Sequence, residues 1–306
     1  MLIKMQKENI AKTLNERFIV PPFSVFNTHQ PYWKNRMLMW RDLGLCGTNG
    51  RVTGMNGLSY DNRRMDKHKE NPINGTSTFS PVLCEVVYKW FTTPNSNILD
   101  PFAGGITRGA IASILGHNYT GYDINVNQVN SNNEEYEKLL DRYVIEGSCN
   151  WVACDVRQEM ESNKYDFIFT CPPYYNLEVY SDNPLDLSAK STYDEFLVDY
   201  SSIISECYKL LNDNCFMVWV VSDVRDKKTT EYYGLVADTI KIAQNVGFKF
   251  YNEIVLYNET GNLAITSGDY MRRARKVGRQ HQNVLVFYKG DINSLKAKFS
   301  EVKIDG

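Results

Sequence analysis

From about Thr78 onward, short apolar runs alternate with segments of helical periodicity, and this pattern constrains the fold more than any other feature. Strands are predicted at 97–99, 119–122, 151–154, 167–170, 215–221, 248–257 and 283–288. Helices are predicted at 107–115, 126–140, 193–211 and 233–246, after an earlier one that begins with Ser80 as N-cap and Pro81. Strands separated by helices predict an α/β fold with a mostly parallel, doubly wound sheet. The last two strands follow each other without a full helix, so we expect an antiparallel pair at one edge.

The first 75 residues differ from the rest of the chain. A short helical stretch, "ENIAKTLNERF", is followed by prolines, aromatics and basic residues, and 49–75 has the composition of a long, partly basic loop. We therefore predict an N-terminal extension at 1–75 with an accessory role, a main domain at 76–290 and a C-terminal tail at 291–306.

Bulk composition excludes several classes of protein. The chain has 306 residues, of which 43% are hydrophobic and 23% charged, as in ordinary globular proteins. Its net charge of −2 provides no global attraction to nucleic acid, so any basic surface must be local. The seven cysteines are odd in number and form no CxxC pair, which favours reduced thiols. No apolar run approaches the roughly 20 residues of a membrane span. We expect a cytoplasmic protein without a membrane partner, and the oligomeric state is not indicated.

The stretch "NILDPFAGG" predicts a strand that ends at Asp100 and turns through Gly104 and Gly105 into a helix. Glycines let the backbone approach a ligand closely, and the helix N-terminus offers unpaired N–H groups. Parallel α/β sheets bind nucleotide-like ligands at this position. The glycines are not spaced as GxGxxG and no lysine follows them, which argues against a triphosphate loop. Taken alone, the segment fits a plain strand-to-helix turn equally well.

Acidic residues also end the next two predicted strands. Asp123 closes "YTGYD", where an acid suits hydrogen bonding to ribose hydroxyls, and Asp155 closes "WVACD". Either residue alone fits a helix cap. Carboxylates at three successive strand ends favour an adenosine-containing ligand held without strong phosphate contacts.

The strand at 167–170 runs into "TCPPYY". Two prolines fix the backbone and remove two N–H donors, which leaves the local carbonyls as acceptors. Tyr174 and Tyr175 add aromatic faces next to them. Such an arrangement suits a planar ring that carries an exocyclic amino group. Core packing is the alternative for the tyrosines, above all for Tyr175.

Both motifs resemble those of S-adenosylmethionine-dependent amino-methyltransferases, most closely the enzymes that methylate exocyclic amines of DNA bases. "DPFAGG" resembles the family's cofactor motif, DPFxGxG, and "TCPPY" resembles its catalytic motif, (D/N/S)PP(Y/F/W). The resemblance covers 78–289 and implies a Rossmann-like methyltransferase fold, with 76–290 as the catalytic domain. The N-terminal and closing segments are similar to methylases of phages and prophages.

The resemblance implies S-adenosylmethionine as cofactor, S-adenosylhomocysteine as product, and no metal. The implied cofactor contacts are Phe79, Ser80, Asp100, Phe102, Ala103, Gly104, Gly105, Asp123, Ile124, Asp155 and Val156. By this resemblance, Asp100 and the glycine turn wrap the methionine part of the cofactor. Asp123 holds its ribose, and Asp155 contacts its adenine amino group.

The catalytic residues implied by the resemblance are Cys171, Pro172, Pro173 and Tyr174. The Pro172 carbonyl would accept a hydrogen bond from the target amine, and Tyr174, helped by Tyr175, would stack on the target base. Cys171 departs from the usual Asp, Asn or Ser, because a thiol is a weak acceptor. Either the backbone carbonyl does most of the polarising or activity is low. A covalent role for Cys171 is the alternative, but in cytosine C5 methylases the cysteine follows a single proline.

Positive charge gathers in the segment 258–282, predicted as a basic loop. Its cations are Arg272, Arg273, Arg275, Lys276 and Arg279. We favour phosphate contacts for them over a plain solvated loop. An earlier set, Arg36, Arg41, Arg51, Arg63 and Arg64, is interleaved with Trp33 and Trp40. That set fits either a DNA-recognition element or a helix packed on the core.

The expected activity is methyl transfer to the exocyclic amino group of a flipped DNA base, with adenine N6 ahead of cytosine N4. Direct transfer needs no general base, and none of the four histidines lies in either motif. The alternatives are an RNA or protein-glutamine amino-methyltransferase, or a non-catalytic binding module of the same fold.

Overall fold

The computed structural model describes residues 13–43, 79–158, 164–177, 183–258 and 263–299. The strands are β1 Val25–Asn27, β2 Asn97–Asp100, β3 Asn118–Asp123, β4 Ser148–Ala153, β5 Tyr165–Thr170, β6 Leu211–Val221, β7 Lys249–Tyr257 and β8 His281–Lys289. The α-helices are α1 Leu14–Phe18, α2 Pro31–Asp42, α3 Pro81–Phe91, α4 Thr107–Ile114, α5 Val126–Leu140, α6 Tyr193–Leu210, α7 Leu235–Val246, α8 Leu263–Ala274 and α9 Leu295–Lys298. Three short 3₁₀ turns lie at Val156–Gln158, Leu187–Ala189 and Ile292–Ser294.

All eight strands form one sheet, in the order β1-β7-β8-β6-β5-β2-β3-β4. Within this sheet β8 runs antiparallel to both neighbours, and the other pairs are parallel. The chain builds outward from β2 to β4 and then returns to β5, so the strand order reverses between β2 and β5. This is the predicted fold class: a mostly parallel, doubly wound α/β sheet with its antiparallel strand towards one side.

The central strands are buried on both faces, which explains their continuous apolar runs. In β5, Phe167 and Phe169 face one hydrophobic cluster while Ile168 faces the other, and all three are fully buried. In β6, Val218 and Trp219 divide between the same two clusters. The sheet therefore carries a core on each side, and helices cover both.

The N-terminal segment is part of this fold over its described residues, 13–43. Strand β1 pairs in parallel with β7, and Trp33 and Trp40 of α2 are buried. Arg36 and the Trp40 indole both bind the Glu85 carboxylate on α3. The helix of this segment is thus packed on the core, and a DNA-recognition role for the segment stays a prediction. Arg51, Arg63 and Arg64 lie outside the described residues.

The predicted helices and strands of the main domain recur with small shifts at their ends, and α5 has the predicted limits. One difference concerns the segment 258–282, which was predicted as a loop and contains α8. None of the residues of α8 is buried, so it does not cross the sheet as a packed helix would. For this reason β7 and β8 remain an antiparallel pair, as predicted.

In the part of the chain that the structure describes, none of the helices has the length and apolarity needed to cross a membrane.

Acidification should destabilise the protein through His117, which lies between α4 and β3. Burial, followed by the nearby Lys89, lowers the pKa of His117 from 6.5 to about 4. The unfolded chain takes up this proton first, so stability is full above pH 6.5 and falls as the pH falls toward 4. We expect this residue to remove about 2 kcal/mol of the free energy of unfolding between pH 7.5 and pH 5, as measured by urea unfolding.

His117→Gln is the matched control, because an amide keeps hydrogen-bonding capacity and does not titrate. In this variant the free energy of unfolding should differ less between pH 7.5 and pH 5 than in the parent protein, whatever its absolute value. An identical difference between pH 7.5 and pH 5 in both proteins would contradict the assignment.

Candidate active site

The two sequence motifs meet where the strand order reverses. Strands β2 and β5 are parallel neighbours, with Leu99 opposite Ile168, so their carboxyl ends open on the same edge of the sheet. The Thr170 hydroxyl, at the end of β5, donates a hydrogen bond of 2.6 Å to Asp100 Oδ1, at the end of β2. Ligands of open α/β sheets bind in the crevice at this point.

The Asp100 carboxylate is completely buried and is a hub for four donors. Besides Thr170, it accepts from Arg108 Nε at 2.5 Å, from the Tyr119 hydroxyl at 2.8 Å and from the Phe102 amide at 3.1 Å. Burial, followed by the Asp100 charge, raises the pKa of Tyr119 well above its usual value, so this phenol remains a donor. The carboxylate therefore supports the glycine turn through these hydrogen bonds, and the direct contact of Asp100 with the cofactor stays a prediction.

Arg108, on α4, was missed by the sequence reasoning. Its side chain is almost fully buried, and Nη2 donates to the carbonyls of Phe102 at 2.6 Å and Ala103 at 3.0 Å. Its guanidinium also lies 4.6 Å from the ring centroid of Phe79. One buried cation thus holds both the acid and the backbone of the turn. The only signal in the sequence was a charged residue among small and apolar ones in "TRGAIA".

Phe79 and Ser80, predicted as cofactor contacts, have structural partners here. Phe79 packs edge-on against Phe169, with centroids 5.6 Å apart. The Ser80 hydroxyl caps α3 by accepting from the Leu83 amide, as the helix signal predicted. Neither contact by itself points to a ligand.

Asp123 lies at the end of β3, as predicted, and beside the glycine turn. Its Oδ2 accepts from the Gly104 amide at 2.9 Å, and Oδ1 accepts from the Asn125 amide at 2.8 Å. Gly104 has a φ of 51°, in the left-handed region, and its carbonyl accepts from Asn132 at 2.7 Å. Around it, Ala103 is buried, whereas Phe102, Gly105 and Ile124 are half-buried. The second strand end is thus fastened to the turn that follows the first.

Asp155 takes part in a chain of ion pairs. Its carboxylate is nearly buried and binds the Arg157 guanidinium at 2.5 Å. Arg157 also reaches Asp199 at 2.9 Å, and Lys190 binds Asp199 at 2.5 Å. The carboxylate is held in this ion-pair chain, and its contact with an adenine amino group stays a prediction. Val156, next to it, is buried.

The "TCPPYY" motif leaves β5 as predicted. Pro172 is buried, and Cys171, Pro173 and Tyr174 are half-buried. Cys171 Sγ lies 3.3 Å from the Tyr174 hydroxyl. Gln282, on β8, donates to the same hydroxyl at 2.8 Å. Tyr174 is therefore held at its hydroxyl end, and Gln282 is a second residue that the sequence reasoning missed.

Tyr175 is a correction. It is 4% exposed and packs its ring against Tyr193, Phe196 and Tyr233, with centroids 5.1 to 5.5 Å apart. Its φ of 50° turns the chain into the core at this point. The core alternative is the one observed, so Tyr175 is not a second stacking surface. Its ring partners lie far along the sequence, which is why the motif alone could not decide.

The five cations of the basic segment are not equivalent. Arg272, Arg273 and Arg275 are exposed, and Arg272 forms an ion pair with Asp269 on the same helix. Lys276 Nζ lies 5.5 Å from the ring centroid of Tyr270. Arg279 is separate from them: it donates to Asn283 at 2.7 Å and lies 3.6 Å from the Asp223 carboxylate. Four cations thus stay near solvent on or beside α8, and the fifth is anchored near the motif.

Replacing Asp100 with asparagine should strongly destabilise the protein, because it leaves the Arg108 cation buried without its counter-charge. Breaking one side of a buried ion pair costs about 3–5 kcal/mol of the free energy of unfolding. Urea unfolding of Asp100→Asn and the parent protein measures this loss.

The double variant Asp100→Asn/Arg108→Met removes both charges and should recover part of the loss. A cost below about 1 kcal/mol for the single variant, or no recovery in the double variant, would contradict the role assigned to the pair.

No curated protein matches the sequence. Three solved structures are similar to this chain, each at 14% identity. TrmN from Thermus thermophilus has a TM-score of 0.45 over 70% of this chain and 50% of its own, so the chain spans half of that protein. A SAM-dependent methyltransferase from Methanosarcina mazei has 0.43 over 65% and 95%. The N-methyltransferase NodS from Bradyrhizobium japonicum WM9, in complex with S-adenosyl-L-homocysteine, has 0.40 over 65% and 80%. These values are too low to transfer a property of those proteins to this chain.

The family comparison is more specific. The matched range contains the "TCPPYY" motif, β5 to β8 and the basic segment. The match agrees with the methyltransferase resemblance and with S-adenosylmethionine as the expected cofactor. Residues 165–305 match the family model described as DNA methylase.

Proposed function

We propose that the protein transfers a methyl group from S-adenosylmethionine to the exocyclic amino group of a flipped DNA base. The observation that carries this proposal is the hydrogen bond from Thr170 to Asp100. It joins the glycine turn and the "CPPY" motif, which are far apart in sequence, at the edge where α/β sheets bind their ligands. The match of residues 165–305 to DNA methylases supports the choice of substrate.

The cofactor side of the crevice fits a nucleoside without phosphate. Gly104, with its positive φ, presents backbone without a Cβ, and Asp123 supplies a half-buried carboxylate beside it. Phe102 packs edge-on against Trp219, with centroids 6.0 Å apart, and provides an apolar wall. When bound, S-adenosylmethionine supplies a methyl group activated by its sulfonium. Asp123 would hold the ribose and the 102–105 turn would hold the methionine part.

The target side combines an acceptor with a flat ring. The prolines of the motif have no N–H to donate, so their carbonyls are the backbone groups they offer to an amine. We assign the Pro172 carbonyl to the target amine, which gains positive charge during transfer and is stabilised by an acceptor. Tyr174 would stack on the base, with its hydroxyl held by Gln282. A base must leave the duplex to reach such a pocket. Adenine N6 is the first candidate and cytosine N4 the second.

A labelled-methyl assay tests the proposal. The protein is incubated with tritiated S-adenosylmethionine and, separately, unmethylated plasmid DNA, tRNA or a mixture of proteins. We expect incorporation into DNA, and nucleoside digestion then identifies N6-methyladenine or N4-methylcytosine. Incorporation into RNA or protein alone would overturn the substrate, and no incorporation with any acceptor would favour a non-catalytic module.

Tyr174 provides the sharpest variant pair. Tyr174→Ala removes the stacking ring and should lower kcat/KM by roughly 5- to 150-fold, since stacking of a base on an aromatic ring is worth about 1–3 kcal/mol. Tyr174→Phe keeps the ring and loses only the hydroxyl contacts to Gln282 and Cys171, so it should retain most of the activity. Equal losses in both variants would argue against stacking.

Cys171 separates direct transfer from covalent catalysis. Cys171→Ser replaces a weak acceptor with a stronger one that is found in the family motif, so we expect methyl transfer to persist or increase. A thiolate nucleophile would not tolerate this change. Loss of all transfer in Cys171→Ser, with cofactor binding and thermal stability unchanged, would contradict direct transfer.

A further inference from the structure

A compact basic hairpin lies beside the catalytic motif, in the connection from β6 to α7. Arg225 and Tyr232 form an antiparallel bridge that closes it. Inside the turn, Asp226 accepts from the amides of Lys228 and Thr229 and from the Tyr233 hydroxyl, each at 2.6 to 2.7 Å. These bonds, that to Tyr233 first, lower the pKa of Asp226 to about 2. The Asp226 carboxylate is thus occupied by hydrogen bonds within and beside the hairpin.

The hairpin has two exposed lysines and one arginine that is held against an aromatic ring. Lys227 and Lys228 are exposed at the tip. The Arg225 guanidinium lies 3.7 Å from the ring centroid of Tyr232 and donates to the Thr230 carbonyl at 2.8 Å. A guanidinium held flat against an aromatic ring loses little freedom when it binds a phosphate.

Two contacts place the hairpin between the catalytic motif and the basic segment. Lys227 Nζ donates to the Asn176 carbonyl at 3.1 Å, just after "TCPPYY". On the other side, the Arg279 guanidinium lies 5.9 Å from the same Tyr232 ring. The cations of the hairpin and Arg279 therefore lie close together near one motif, although they come from separate parts of the sequence.

The local charge contrasts with that of the whole chain. The protein has a net charge of −2, yet this hairpin carries three cations against Asp226, which is engaged, and Glu231, which is exposed. Positive charge concentrated next to an active site suits a polyanion that must be positioned there. Lys228 is exposed at the tip, and Lys227 and Arg225 keep further N–H donors beyond the contacts given above.

We propose that the 225–232 hairpin is a second backbone-binding element, which holds the phosphates of duplex DNA between the catalytic motif and the basic segment 258–282. This inference rests on the proposed function and deepens it, because it names which surface positions the nucleic acid. Lys227 and Lys228 contact phosphates directly, and Arg225 adds a rigid contact.

The test measures binding to a short DNA duplex of mixed sequence across a series of KCl concentrations. Each lost phosphate contact reduces the slope of log K against log[salt] by about 0.9, so Lys227→Ala/Lys228→Ala should reduce it by about 1.8. The matched control is Lys241→Ala/Lys296→Ala, two exposed lysines on α7 and α9, which should leave the slope unchanged. Thermal melting checks that each variant is folded.

The outcomes separate this inference from the proposed function. If the parent protein methylates DNA and the Lys227/Lys228 variant keeps the parental slope, the hairpin proposal is wrong and the activity stands. If the parent binds DNA with the expected loss of slope in the variant but transfers no methyl group, the hairpin proposal stands and the activity is wrong. An equal loss of slope in the control pair would also overturn the hairpin proposal.

Discussion

The rest of the structure depends on one buried carboxylate. Asp100 receives hydrogen bonds from β3 through Tyr119, from β5 through Thr170 and from α4 through Arg108. A buried ion pair of this kind adds little net stability compared with an apolar substitute, but breaking it is costly. Its value lies in specificity, because only one register of β2, β3 and β5 brings all these donors to the same acid. That register places the glycine turn next to the "CPPY" motif.

The site has two halves with different physical characters. On the β2 and β3 side, backbone amides and carbonyls are held by acids and by Arg108, so the turn that would receive the cofactor is rigid before any ligand arrives. On the β5 side, Tyr174 is held through its hydroxyl by Gln282 from β8. Preorganisation of this kind lowers the cost of ordering the groups on binding. Cys171 belongs to this side of the site, since its thiol lies 3.3 Å from the Tyr174 hydroxyl.

Much of this fold was predictable from local sequence, and the rest required contacts between distant residues. Helix α5 has its predicted limits because its cap and periodicity are encoded within it. By contrast, α8 lies in a segment predicted as a loop, and none of its residues is buried. The motifs correctly located the strand ends, but they could not show that Asp100 faces inward, that Arg157 engages Asp155, or that Tyr175 meets Tyr193 and Tyr233. Each of those outcomes depends on a partner that the motif does not contain.

The pairing of β1 with β7 has a consequence for how the molecule is made. The Thr28 hydroxyl donates to the Tyr257 carbonyl across 229 positions of sequence, so one outer edge of the sheet is completed by a segment that is synthesised long before its partner strand. During translation, β1 has no strand to join until β7 has been produced. Such distant pairings are slow to form because loop closure precedes any gain from contact. Pairing of β1 with β7 therefore completes this edge of the sheet. Before β1 pairs, the outer edge of β7 has no covering strand.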